Sequence, residues 1–158
     1  MKISLASAVS VTNLSENTFR RRIANGMLMR TIEEGPNGRS MIQFDAITGD
    51  CCIPLERDDL EVVIEADQGN ADAQNDLALL FLSHAMPKKA VYWLELAAKQ
   101  KHTDAMHWLG RCYIDGNGVT HDENLGFMWL SRAAAGGHII SKEMMQAFRE
   151  SALQHVPK

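Results

Sequence analysis

The stretch TDAMHWLGRCYIDGNGVTHDENLGFMWLSRAAAGG, residues 103–137, decides the fold because it occurs twice. Set against ADAQNDLALLFLSHAMPKKAVYWLELAAKQ, residues 71–100, Ala105 aligns with Ala73 and Leu109 with Leu77. Trp129 and Leu130 align with Trp93 and Leu94, and Ala133 and Ala134 with Ala97 and Ala98. The first pairs lie 32 residues apart and the later pairs 36 apart. The difference is an insertion, and it falls in the loop DGNGVTHD of the second copy. A period of this length is the sequence signature of stacked helical units.

Each copy reads as two helices. Ala105, Leu109, Cys112 and Tyr113 share one face by i, i+4, i+7, i+8 spacing, and Trp129, Ala133 and Ala134 share one on the next helix. Alanines permit close helix approach, and tryptophan fills the space between. Gly116 and Gly118 break the chain between the two helices. These residues, from Ala105 through Leu109-Gly110, Tyr113, Gly116, Gly118 and Val119 to Trp129-Leu130 and Ala133-Ala134, resemble the Sel-one-like repeat, a relative of the tetratricopeptide repeat. Residues 103–138 match it closely. Residues 71–102 match in a degraded form that lacks the glycine loop and the Leu-Gly pair. Residues 58–70 and 139–154 read as capping half repeats, the latter through Ile140, Met144, Met145 and Phe148. The resemblance implies a protein–protein scaffold with no catalytic residues. Counting at 100° per residue, the positions of each first helix away from the core are Asp72, Asn75 and Leu79, then Asp104, His107 and Arg111. These are the candidate partner-binding residues of a solenoid face.

Working towards the N-terminus, residues 51–57 read as a connector, and 1–50 as a separate small domain. Ser4 can cap a short helix to about Val11. Ser15 can cap a second from Glu16 to Asn25, with Gly26 at the position after its end. MLMRTIE (27–33) alternates like a strand, EGPNGR (34–39) reads as a turn, and SMIQF (40–44) as a second strand. Asp45 to Gly49 can form a short helix beneath the hairpin. Helix, turn, helix and hairpin, with Thr18, Arg20, Gly26 and Leu28 at fixed spacing, resemble the winged-helix DNA-binding domain of the MerR and excisionase families. The fold class expected is therefore mainly α: a winged helix-turn-helix with a small β-hairpin, followed by a short α-solenoid of helix pairs.

On the second helix Phe19 and Ile23 form the apolar stripe, and Arg20, Arg21 and Arg22 occupy the rest of the circumference, with Arg21 pointing away from the core. Residues 1–44 carry six bases against three acids, a net +3, whereas the remainder carries 10 bases and 17 acids, a net −7. The basic end is the candidate for a polyanion. Asn17, Thr18, Arg20, Arg21, Arg22, Arg30 and Arg39 are the candidate DNA contacts, the last two on or beside the wing. About five neutralised phosphates would give log K a slope near −4.5 against log salt.

The expected function is a DNA-binding transcriptional regulator whose repeats dock a protein partner or join two copies of the chain. One alternative is a non-enzymatic adaptor in which the helix-turn-helix binds protein. A second is a secreted repeat effector, which requires MKISLASAVSV to act as a signal peptide against the serines interrupting its apolar run. Three cysteines, two of them adjacent, make a poor disulfide framework and fit a reducing cytoplasm. Neither Cys51-Cys52 nor His102 with His107 has metal-ligand spacing, and no phosphate loop or nucleophile elbow is present, so no cofactor or metal is expected.

Overall fold

The computed structural model describes residues 1–33 and 38–154. Its elements are β1 (Lys2–Ser4), α1 (Leu5–Val11), α2 (Glu16–Ala24), β2 (Arg30–Ile32), β3 (Ser40–Gln43), α3 (Arg57–Asp67), α4 (Ala71–Ser83), α5 (Pro87–Lys99), α6 (Thr103–Asp115), α7 (Glu123–Ala135) and α8 (Ile139–Gln154). Two 3-10 turns, Phe44–Ala46 and Thr48–Asp50, occupy the place of the expected short helix after the hairpin. Two compact units result, Met1–Leu77 and Ala78–Lys158, and the boundary falls inside α4.

In the first unit the local signals decide the helices. Ser4 Oγ accepts from the Ser7 N–H and starts α1, and Ser15 Oγ accepts from the Thr18 N–H and starts α2. Gly26 follows at a φ of 71°, which suits glycine. β2 and β3 pair antiparallel, Thr31 opposite Met41. The strands are shorter than expected: residues 27–29, Glu33 and Phe44 lie outside them. Residues 34–37 of the expected turn lie outside the described residues.

A third strand was not expected. Lys2–Ser4 pairs with β3, which gives the order β1-β3-β2 and places β3 in the centre. Three residues carry no period-2 signal of their own; β1 exists because β3 offers a free edge. Ile3, Val11, Phe19, Ile42, Phe44, Ile47 and Val63 fill the core of this unit.

The unit extends past the connector expected at 51–57, because α3 packs on β1. Asp67 at the end of α3 is buried, and its carboxylate accepts from the Ser4 N–H at 3.0 Å and from Ser7 Oγ at 2.6 Å, with Ser4 Oγ as a further donor. A buried carboxylate is tolerated when several donors replace its water.

In the second unit α6 packs against α5 and α7, and α7 against α8. Phe81, Trp93, Leu94, Leu109 and Leu130 are fully buried. Gly110 on α6 and Gly126 on α7 mark a backbone-to-backbone crossing: a Cβ on either would lie 2.9 Å from the other's carbonyl oxygen. The first copy has Ala78 and Ala90 at the aligned positions, both fully buried. Among the described residues no helix is long and apolar enough to cross a membrane.

Candidate functional site

The seven candidate DNA contacts do not form a set of free cations. Arg20 reaches back one helical turn to Glu16 at 2.6 Å. Arg22 grips Asp50 with both terminal nitrogens, one at 3.2 Å, and ties α2 to the second 3-10 turn. That hydrogen bond raises the Arg22 pKa. Arg39 pairs with Glu33 at 2.8 Å and donates to the Asp67 carbonyl at 3.0 Å. The same hydrogen bond lowers the Glu33 pKa. Thr18 is engaged at the α2 cap, its hydroxyl 3.0 Å from that of Ser15. Asn17, Arg21 and Arg30 are exposed. Arg21 and Arg30 are the two arginines of the set without an ion pair among the described residues. Each of the three paired arginines has a carboxylate partner with which a phosphate would compete. Helical angles place a side chain on a face but do not show an acid 28 residues away, which is why Asp50 was not foreseen.

Among the repeat positions, Asp72, Asp104 and Arg111 are exposed and Leu79 is half-buried. Asn75 and His107 correct the expected surface line, since both are buried, at 5% and 4% exposure. A fixed angular step cannot anticipate which flank of a helix its neighbour covers. His107 is covered because its Nδ1 lies 2.9 Å from Ser141 Oγ of α8 and its ring stacks on His138 at 4.3 Å. Burial pushes the His107 pKa down to about 4, with His138 and Arg111 adding to the effect and Asp104 opposing it.

What α6 exposes instead is the stripe Asp104, Trp108, Arg111 and Asp115. Trp108 is 38% exposed, and its ring meets that of His107 edge to face at 5.6 Å. Arg111 and Asp115 pair at 3.6 Å. An exposed tryptophan ringed by charged groups has the composition of an interface anchor. The signal was present in the sequence: Trp108 stands four residues after Asp104 and three before Arg111, hence on their face.

The line Asp104, His138, Ser141 has the residue types of a hydrolytic triad, yet it is a helix cap. His138 Nδ1 accepts from the Ser141 N–H at 3.1 Å, and its Nε2 lies 3.5 Å from Asp104. Ser141 is fully buried and its hydroxyl is shared by two imidazoles, so no substrate carbonyl can reach it. Neutral tautomers wire the group consistently, with His107 Nδ1–H donating to Ser141 and Ser141 donating to His138. The same kind of cap opens the first helix of each repeat. His102 Nδ1 accepts from the Ala105 N–H at 3.1 Å, and Asn70 Oδ1 from the Ala73 N–H at 3.1 Å. The caps at 70, 102 and 138 keep the spacings of 32 and 36 seen in the sequence.

Residues 71–102 and 103–138 match the Sel1 repeat family model. Among solved structures, a Sel1 repeat protein from Oxalobacter formigenes is similar at 33% identity and a TM-score of 0.53, over 55% of this chain and 26% of its own. A protective antigen present in uropathogenic Escherichia coli strains displaying an SLR fold is similar at 31% identity and a TM-score of 0.47, over 50% of this chain and 18% of its own. This chain thus spans about a quarter of the first of these and less of the second. No curated protein matches the chain. The two matched segments are Sel1-like helical repeats.

Proposed function

We propose that the chain is a non-enzymatic adaptor whose Sel1-like repeats receive a protein partner. The observation that carries this reading is the exposed Trp108, set on α6 among Asp104, Arg111 and Asp115. A large amphipathic ring with a charged rim supplies apolar contact area at small entropic cost. Affinity purification with quantitative mass spectrometry, comparing the full chain with Trp108→Ala, tests it. The expected outcome is a partner retained by the wild type and depleted about tenfold or more by the variant, corresponding to about 1.4 kcal/mol of binding. Equal recovery from both, with both melting at the same temperature, would sink the reading.

The order helix, turn, helix, hairpin, together with the exposed Arg21 and Arg30, which have no ion pair among the described residues, favours a second reading in which the first unit binds double-stranded DNA as a regulator. With two cations available, not five, log K would change with log salt at a slope of about −1.8. Fluorescence anisotropy over a salt series, beside Arg21→Ala/Arg30→Ala, decides it. Salt-dependent binding abolished by that substitution supports DNA contact. No binding at low salt, or no difference in the variant, leaves the adaptor alone.

A further inference from the structure

The chain beyond residue 44 is acidic, 17 acids to 10 bases, yet one recess in its second unit carries only positive charge. A cavity of about 470 Å³ opens where the end of α5, the start of α6 and the last turns of α7 meet. Ala98, Met106 and Trp129 give it an apolar lining; Lys99, Lys101 and Arg132 are its charged groups, and among the described residues no Asp or Glu lines it. Lys99, Lys101 and Arg132 are all exposed. Among the described residues Lys99 and Lys101 make no side-chain ion pair, and Arg132 lies over the Trp129 ring at 5.0 Å from its centroid. Lys99 and Arg132 stand in the last turns of α5 and α7, where a cation also suits the helix dipole. Lys101 has no such reason to be there: it sits in the connecting loop at a φ of 67°, a conformation that favours glycine over lysine.

We propose that this recess docks an acidic segment of a partner protein, in which one bulky apolar side chain packs against Trp129 and Met106 while flanking carboxylates meet Lys99, Lys101 and Arg132. Apolar walls supply the anchor and the cations fix its orientation, the usual division of labour in a binding pocket. Carboxylates are the matching chemistry because guanidinium and ammonium donors bind them through charge-assisted hydrogen bonds. The proposal rests on the adaptor reading but uses residues other than Trp108.

Selection of a random-peptide phage library on the full chain, followed by fluorescence polarisation of the selected peptides, tests it. The expected peptides carry acids on both sides of a large apolar residue. Their affinity falls about tenfold or more in Lys99→Glu/Lys101→Glu/Arg132→Glu, falls likewise in Trp129→Ala, and weakens as salt rises. Should the charge reversal fail to melt like the wild type, Lys99→Gln/Lys101→Gln/Arg132→Gln replaces it with the same expectation. Several outcomes overturn the proposal: no enrichment, peptides without acids, a loss smaller than tenfold, or concentration-dependent self-association through these residues. Peptides that ignore the lysines but lose affinity for Trp108→Ala would overturn the pocket and leave the adaptor standing. A chain that captures nothing through either surface would lose both.

Discussion

At the scale of single residues, the polar groups inside the protein are more informative than the charged groups outside it. Asp67 joins α3 to β1 and α1 by accepting from Ser4 and Ser7. Asp67→Ala strands three donors in the core, and the expected cost is about 3 kcal/mol in a denaturant titration of the full chain. His107 makes a prediction about acidity. Its pKa is about 4 in the fold against 6.5 in an ordinary histidine, so between these values the unfolded chain binds the extra proton. Stability contributed by neutral His107 is complete above about pH 6.5 and is lost as pH falls towards 4. Urea titrations over this window should show a flatter pH dependence for His107→Gln than for the wild type; parallel curves would contradict the assignment. Neither residue was legible as an interior group. The caps of α1 and α2 were, because a cap is a local event: Ser4 and Ser15 meet N–H groups three residues ahead. Asp67 answers residues 60 or more positions away, and no periodicity encodes that.

At the scale of elements, the two repeats differ where their helices touch. Gly110 and Gly126 allow α6 and α7 to cross with their backbones nearly in contact. A Cβ on Gly126 would lie 2.5 Å from Ile114 Cγ1 as well as 2.9 Å from the Gly110 oxygen. Gly126→Ala gains up to about 1 kcal/mol of helix propensity but must push two helices apart, so a net loss of about 1–2 kcal/mol is expected by thermal unfolding. A variant as stable as the wild type would mean that the crossing relaxes without cost. The Leu-Gly pair was visible in the sequence as a repeat signature, and its structural meaning is this crossing. The alternation of residues 27–33 was equally visible, yet β2 is only three residues long. Strand length is set by what lies opposite, and here β3 offers four residues.

At the scale of the whole molecule, pattern and period revealed the helical repeats, since each repeat must bury the same face in the same way. They did not reveal the first unit's extent, because α3, which resembles the tail of a half repeat, also packs on β1. The charge asymmetry between the two ends was real as arithmetic and misleading as electrostatics. Three of the N-terminal arginines are paired with Glu16, Asp50 and Glu33, while the acidic part of the chain holds an apolar recess whose charged groups, among the described residues, are all cations. The salt slope and the Trp108→Ala capture experiment therefore address the molecule as a whole. The recurrent histidine caps carry one more consequence. Each imidazole meets an N–H three residues ahead on its own chain, so a synthetic array made by copying residues 102–137 end to end would begin every repeat with its own start signal. Such a filament would not depend on its first unit to set the helix starts but would restart them at every joint, a property of the spacing and of no single unit.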